Sequence, residues 1–113
     1  MLKNIRLGRF EIGENQPPVI VAEMSGNHNQ SLDKALEIVD AAADAGCDAL
    51  KIQTYTPEML TIDCDSADFV VKGMNSAWEK QTLFQLFQRA CTPLEWHEPI
   101  FARARRRGII PFS

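Results

Sequence analysis

The spacing of apolar residues changes several times along the chain, and each change marks an element. Residues 5–12, "IRLGRFEI", read as two short strands around Gly8-Arg9, a hairpin. The cluster "ENQPP" (14–18) breaks the pattern. "VIVAEM" (19–24) is then apolar and β-branched without alternation, as in a strand buried on both faces. In "SLDKALEIVDAAADAGC" (31–47), Leu32, Ala35, Leu36, Val39, Ala42 and Ala43 fall on one helical face. Ser31 is a good N-cap, Asp33 suits the first turn, and Gly46 supplies a left-handed stop. "DALKIQTY" (48–55) reads as the next strand. Strand, amphipathic helix and strand make a βαβ unit with parallel strands and a right-handed crossover.

Residues 56–79 are irregular: Pro57 breaks the strand, and Asp63, Asp65, Ser66 and Asp68 suggest an excursion loop. "EKQTLFQLFQRA" (79–90) returns to helix, with Leu83, Leu86, Phe87 and Ala90 on one face. "TPLE" (92–95) resembles a helix start, with Thr92 as N-cap, Pro93 at the first helical position and Glu95 completing a capping box. Pro99 conflicts with that start. A kink is expected, or a helix that begins near Glu95. Gly108 ends it, and "IIPFS" (109–113) opens a third strand. The series lacks a continuation, which predicts the N-terminal part of a larger α/β domain. A hairpin at 1–15 precedes the β/α units of 16–113.

Composition narrows the function. The 113 residues suit one domain, and 45% hydrophobic with 24% charged residues is ordinary for a globular chain. A formal charge of −3 predicts no general affinity for nucleic acid or anionic membrane. Cys47, Cys64 and Cys91 are an odd set without CxxC pairing, which favours reduced thiols. With no secretory h-region and no apolar run of membrane-span length, the expected address is the cytoplasm. "RARRRG" (103–108) is the local exception. It can face nucleic acid, but basic residues in the last helical turns also complement the helix dipole on a solvated face, and no aromatic interleaving accompanies them.

Ligands of parallel α/β sheets bind at the carboxyl ends of the strands. Glu23 ends the first long strand; Lys51 and Gln53 end the second and share a face by i, i+2 parity. Two readings stand: a structural Glu23–Lys51 ion pair, or a ligand site. In the loop "EMSGNHNQS" (23–31), Asn27, His28 and Asn29 suit turns and caps as well as ligands. His28 as a metal ligand would need convergent partners, and neither His97 nor the cysteines show ligand spacing.

The stretch "IVAEMSGNHNQSLDKALEIVDAAADAGCDALKIQTYTPEMLT" (20–61) resembles the N-terminal part of the sialic acid (N-acetylneuraminate) synthase family, through AE-x-x-x-NHN, a helix ending D-A-G-x-D-A, and K-x-QT-Y. "WEKQTLFQLFQRACTPLEWHEPIFARARRRGIIPFS" (78–113) is most similar to the pseudaminic acid synthase branch. The resemblance implies an α/β fold, the N-terminal part of a (β/α)8 TIM barrel that is incomplete in this chain. It implies condensation of phosphoenolpyruvate with an N-acylated amino sugar, assisted by manganese or magnesium, in a cytoplasmic homodimer. Lys51 matches the lysine that contacts phosphoenolpyruvate and Gln53 the neighbouring glutamine. Glu23 matches the glutamate that holds the sugar's polar groups. Asn27 is expected near the substrate, Asn75 on the sugar, and Ser113 where a phosphate-binding segment starts. The family's metal-binding histidines and its antifreeze-like domain fall beyond residue 113, so the chain by itself is expected to be inactive. The alternative from another class is a non-catalytic α/β module that keeps the strand-end anion site.

Overall fold

A computed structural model describes residues 3–73 and 79–113. Strands β1 (Ile5–Leu7) and β2 (Phe10–Ile12) form the antiparallel hairpin. Strands β3 (Val21–Met24), β4 (Ala49–Ile52) and β5 (Ile110–Phe112) form a parallel sheet in the order β3–β4–β5. Helix α1 (Leu32–Asp44) connects β3 to β4. Between β4 and β5 lie the short α2 (Pro57–Leu60), then α3 (Leu83–Ala90) and α4 (His97–Arg106). No helix among the described residues is long and apolar enough to cross a membrane.

The sheet has two unlike faces. Met24, Leu50 and Ile52 are buried against α1 and α4, where they meet Ala35, Val39, Ala42, Ile100 and Ala104. Alanines at three of these helical positions let α1 and α4 approach the sheet closely. Burying one of the larger side chains stabilises the fold by roughly 1.5–3 kcal/mol. Glu23, Lys51 and Phe112, of the opposite parity, lie side by side in the register on the other face. Helices on one side and charge on the other define which face can receive a ligand.

Both long helices end by the same device. At α1, Gly46 (φ +83°) donates to Ala43 O and Cys47 to Ala42 O; at α4, Gly108 (φ +78°) donates to Arg105 O and Ile109 to Ala104 O. This paired pattern needs a left-handed residue, which glycine adopts without the Cβ penalty. A Cβ at either glycine would meet nothing within 4 Å, so the backbone angle alone selects glycine. The turns deliver the chain directly into β4 and β5. At the sheet's amino end, Asp48 Oδ2 accepts from Ile20 N at 2.8 Å. There the hairpin lies over the charged face: Gly8 sits against the Ile110 side chain, and Arg9 donates to Gly108 O at 2.9 Å.

Two sequence expectations change. Thr92 does not cap a helix. Its backbone N–H donates to Gln53 O at 3.3 Å, and its hydroxyl is buried without a partner among the described residues. Pro93 (φ −55°, ψ 139°) keeps the chain extended, so a 3-10 turn forms at Leu94–Trp96 and α4 begins only at His97. Pro99 is thereby in the first turn of α4, where its missing N–H would have had no intrahelical partner. The capping box in this region is Thr82 with Gln85 at the start of α3, closed by reciprocal bonds of 3.1 and 3.2 Å. The basic run has a structural use as well: Arg103 pairs with Asp40 at 2.7 Å, and Arg107 with Asp40 and Asp44, joining α4 to α1.

Candidate functional site

The charged cluster sits at the carboxyl ends of β3 and β4. Parallel register places Glu23 directly beside Lys51, with Lys51 Nζ 3.5 Å from Glu23 Oε1. Gln53 Nε2 donates to the same oxygen at 2.7 Å, and Ser25 Oγ donates to Gln53 Oε1 at 3.4 Å. The amide orientation follows from chemistry, because a carboxylate only accepts. A directed chain results, from Ser25 through Gln53 to Glu23, with Lys51 on the far side.

The electrostatics fit that geometry. The Gln53 hydrogen bond, and secondly the Lys51 charge, hold the Glu23 carboxyl below its ordinary range, so it is ionised at neutral pH. The Glu23 and Lys51 side chains are 47% and 42% exposed. Both protein contacts fall on Oε1, and among the described residues no group reaches Oε2. The cluster presents a cation and a carboxylate oxygen to the same open face. It is suited to a ligand carrying both an anionic group and hydroxyl or amide donors.

The β3–α1 loop builds one wall. Gly26, Asn27 and His28 form a 3-10 turn, and the exposed Asn27 lines a groove of about 450 Å³ with Ser25, Gly26, Leu86 and Ala90. Gly26 is pressed against α3: a Cβ there would lie 2.8 Å from Ala90 Cβ and 3.0 Å from its Cα. Gln30 Nε2 clamps the loop to the end of α3, donating to Arg89 O at 2.6 Å and Cys91 O at 3.2 Å. His28 is fully buried, with Nδ1 accepting from Gln30 N at 3.1 Å and the ring edge-on to Trp96 at 5.2 Å. Burial lowers its pKa, so the ring is neutral. His28 orders the loop and contributes nothing to the open face.

Of the residues singled out from sequence, Glu23, Lys51 and Gln53 converge, and Asn27 lies on the adjoining groove. Ser113 falls on the other side of the sheet: its hydroxyl donates to Ile52 O at 3.0 Å and contacts Thr54 Oγ1. Asn75 lies outside the described residues. Sequence reasoning passed over Ser25, although it shares i+2 parity with Glu23 and was legible as a fourth member of that face. It also passed over Thr54, whose hydroxyl meets His97 Nε2 at 2.6 Å; a sequence separation of 43 leaves no local signal for that contact. No group of three or more His, Cys, Asp or Glu able to hold a metal occurs among the described residues.

Comparison with known proteins places these features. Residues 38–113 match the NeuB family. The chain is 50% identical over 109 residues to pseudaminic acid synthase of Campylobacter jejuni serotype O:2, covering 96% of this chain and 31% of that protein. It is 45% identical over 98 residues to pseudaminic acid synthase of Helicobacter pylori, covering 87% and 28%. Among solved structures, the N-acetylneuraminic acid synthetase of Leptospira borgpetersenii matches with a TM-score of 0.71 at 29% identity, over 98% of this chain and 35% of that one. The spore coat polysaccharide biosynthesis protein SpsE of Bacillus subtilis matches with a TM-score of 0.63 at 29% identity, over 98% and 27%. The chain thus spans about 31% of the length of the first curated relatives it matches, and the parallel sheet with its helices is one part of their α/β fold.

Proposed function

The chain belongs to the NeuB family, and on that premise we propose that Glu23, Lys51 and Gln53 are one part of the active site of a phosphoenolpyruvate-dependent nonulosonic acid synthase, of the pseudaminic acid type. The single observation that carries this reading is the pairing of Glu23 with Lys51 on adjacent strands, at the carboxyl ends and on the helix-free face. The relatives named pseudaminic acid synthase support it.

The reaction joins the enol carbon of phosphoenolpyruvate to the aldehyde carbon of an open-chain N-acylated amino sugar. Water adds to the former enol carbon, and inorganic phosphate leaves. Lys51 offers a fixed positive charge to the phosphate or carboxylate of phosphoenolpyruvate, holding the nucleophile where charge redistributes. Glu23, ionised and with Oε2 open, accepts from sugar hydroxyl or amide groups. Gln53 fixes the Glu23 rotamer, Ser25 fixes Gln53, and Asn27 borders the groove beside them. The described residues do not fit a metal: they hold no group of three or more His, Cys, Asp or Glu donors. The ligands of a manganese or magnesium ion belong to other residues of the enzyme.

The test is phosphate release by the full-length protein from phosphoenolpyruvate and candidate N-acylated amino sugars. Lys51→Ala is expected to lower kcat/KM for phosphoenolpyruvate about 100-fold, the order seen when one preorganised charge-stabilising group is removed. Glu23→Gln is expected to act mainly on sugar use. Unchanged constants in both variants would overturn the assignment.

A further inference from the structure

A second chain of polar groups closes the carboxyl ends of β4 and β5 from the helix side, opposite Lys51. His97 Nδ1 lies 3.0 Å from Leu94 O, and His97 Nε2 lies 2.6 Å from Thr54 Oγ1. Thr54 Oγ1 meets Ser113 Oγ, and Ser113 Oγ donates to Ile52 O at 3.0 Å. A carbonyl oxygen only accepts, so the Leu94 contact requires a proton on Nδ1. A neutral ring then presents Nε2 as an acceptor to Thr54.

Counting protons gives the sequence a direction. Three contacts run from the ring to Ile52, and the two hydroxyls carry two protons between them. If Ile52 takes one and a neutral ring takes the other, the Thr54–Ser113 contact has none. An imidazolium supplies the third proton, and every contact then donates the same way: ring to Thr54, Thr54 to Ser113, Ser113 to Ile52. Among the described residues no carboxylate forms an ion pair with His97. Glu95 and Glu98 flank it in sequence, and Lys51 leaves β4 from the opposite face. Asp40 and Asp44 of α1 are taken up by Arg103 and Arg107, and β5 carries no titratable side chain.

We propose that His97 is a positioning residue of the active site: through Thr54 and Ser113 it locks together the carboxyl ends of β4 and β5. Ser113 follows Phe112, the register partner of Lys51, and Thr54 follows Gln53. A slip between these strand ends would displace the lysine and the glutamine together.

The inference rests on the proposed condensation only for its kinetic arm. In the full-length protein, long-range proton–nitrogen correlation spectra are expected to show His97 protonated on Nδ1 whenever the ring is neutral. His28, whose Nδ1 accepts from Gln30, is expected to show the opposite tautomer. A neutral His97 with its proton on Nε2 overturns the proposal. In kinetics, His97→Leu and Thr54→Val are each expected to raise KM for phosphoenolpyruvate about tenfold with kcat within about twofold, and the double variant to be no worse than either. His97→Gln, whose amide can still hydrogen-bond Thr54, is expected to restore most of the lost affinity. Additive losses, or loss of kcat at unchanged KM, refute the positioning role. Absence of phosphate release by the unsubstituted enzyme refutes the proposed reaction and leaves the tautomer to decide the relay.

Discussion

Gly26→Ala tests how tightly α3 holds the site. Gly26 does not have a positive φ, so an alanine there meets no backbone penalty, and any effect is steric. The added Cβ would lie 2.8 Å from Ala90 Cβ and 3.0 Å from Ala90 Cα, against about 3.4 Å for the near edge of ordinary van der Waals contact. The loop and α3 must therefore separate by about 0.6 Å. Neither yields easily, because one obstacle is backbone and Gln30 ties the loop to the last carbonyls of the same helix. Overpacking of this kind costs about 1–3 kcal/mol. The shift passes into Ser25 and so into Gln53 and Glu23. Since a misplacement of about 1 Å can cost about 100-fold in rate, about tenfold in kcat/KM is expected here. The assay is urea denaturation together with phosphate-release kinetics on the full-length enzyme, for Gly26→Ala, Ala90→Gly and the pair. Removing the Ala90 Cβ deletes the closest obstacle, so the double variant should recover part of both losses. A Gly26→Ala variant within about 0.5 kcal/mol of the parent, or a purely additive double variant, would refute the argument.

Other consequences are measurable. Gln53→Leu and Lys51→Ala should each raise the Glu23 carboxyl toward its ordinary value, because the Gln53 hydrogen bond and the Lys51 charge both depress it; carbon-detected titration of Glu23 reads each rise. For His28 the folded ring resists protonation, while the unfolded ring protonates near the ordinary value of 6.5. Stability should thus be full above that pH and fall as pH drops below it, and denaturation curves of His28→Gln should lose that part of the slope. Ile100→Ala opens the fully buried contact between α4 and the sheet and should cost about 2–5 kcal/mol in urea denaturation. Gly46→Ala should cost about 1–2 kcal/mol, although its Cβ meets nothing, because only the left-handed turn resists it.

The sequence was most readable where a side chain's role depends on near neighbours. Helix α1 announced itself through its apolar period and Ser31, whose hydroxyl does accept from Lys34 N at 3.3 Å. The i, i+2 parity of Lys51 and Gln53 is enough to place them on one face. Reading failed where two local signals were equally good and distant contacts chose between them. Thr82-x-x-Gln85 and Thr92-x-x-Glu95 both spell a capping box. Only the first is formed, because the Thr92 amide is drawn to Gln53 O at the end of β4 and Pro93 then extends the chain. That choice belongs to the sheet.

The same distinction separates the two polar chains at the strand ends. Ser25, Gln53, Glu23 and Lys51 come from adjacent strands in parallel register, so their meeting requires only the βαβ unit that the sequence already predicts. The Thr54–His97–Ser113 chain requires in addition the true start of α4. Had α4 begun with Thr92 as its cap, His97 would stand a full turn inside the helix, hydrogen-bonded along its axis. The extended Pro93 and the 3-10 turn at Leu94–Trp96 instead leave His97 as the first residue of α4, its ring spanning Leu94 O and the end of β4. The displaced cap and the histidine contact are one event. A Pro93→Ala substitution that lets the helix extend back to Thr92 should therefore break the His97–Thr54 contact while leaving the Glu23–Lys51 pair in place. In spectra, His97 would lose its Nδ1 tautomer, while Glu23 would titrate as before.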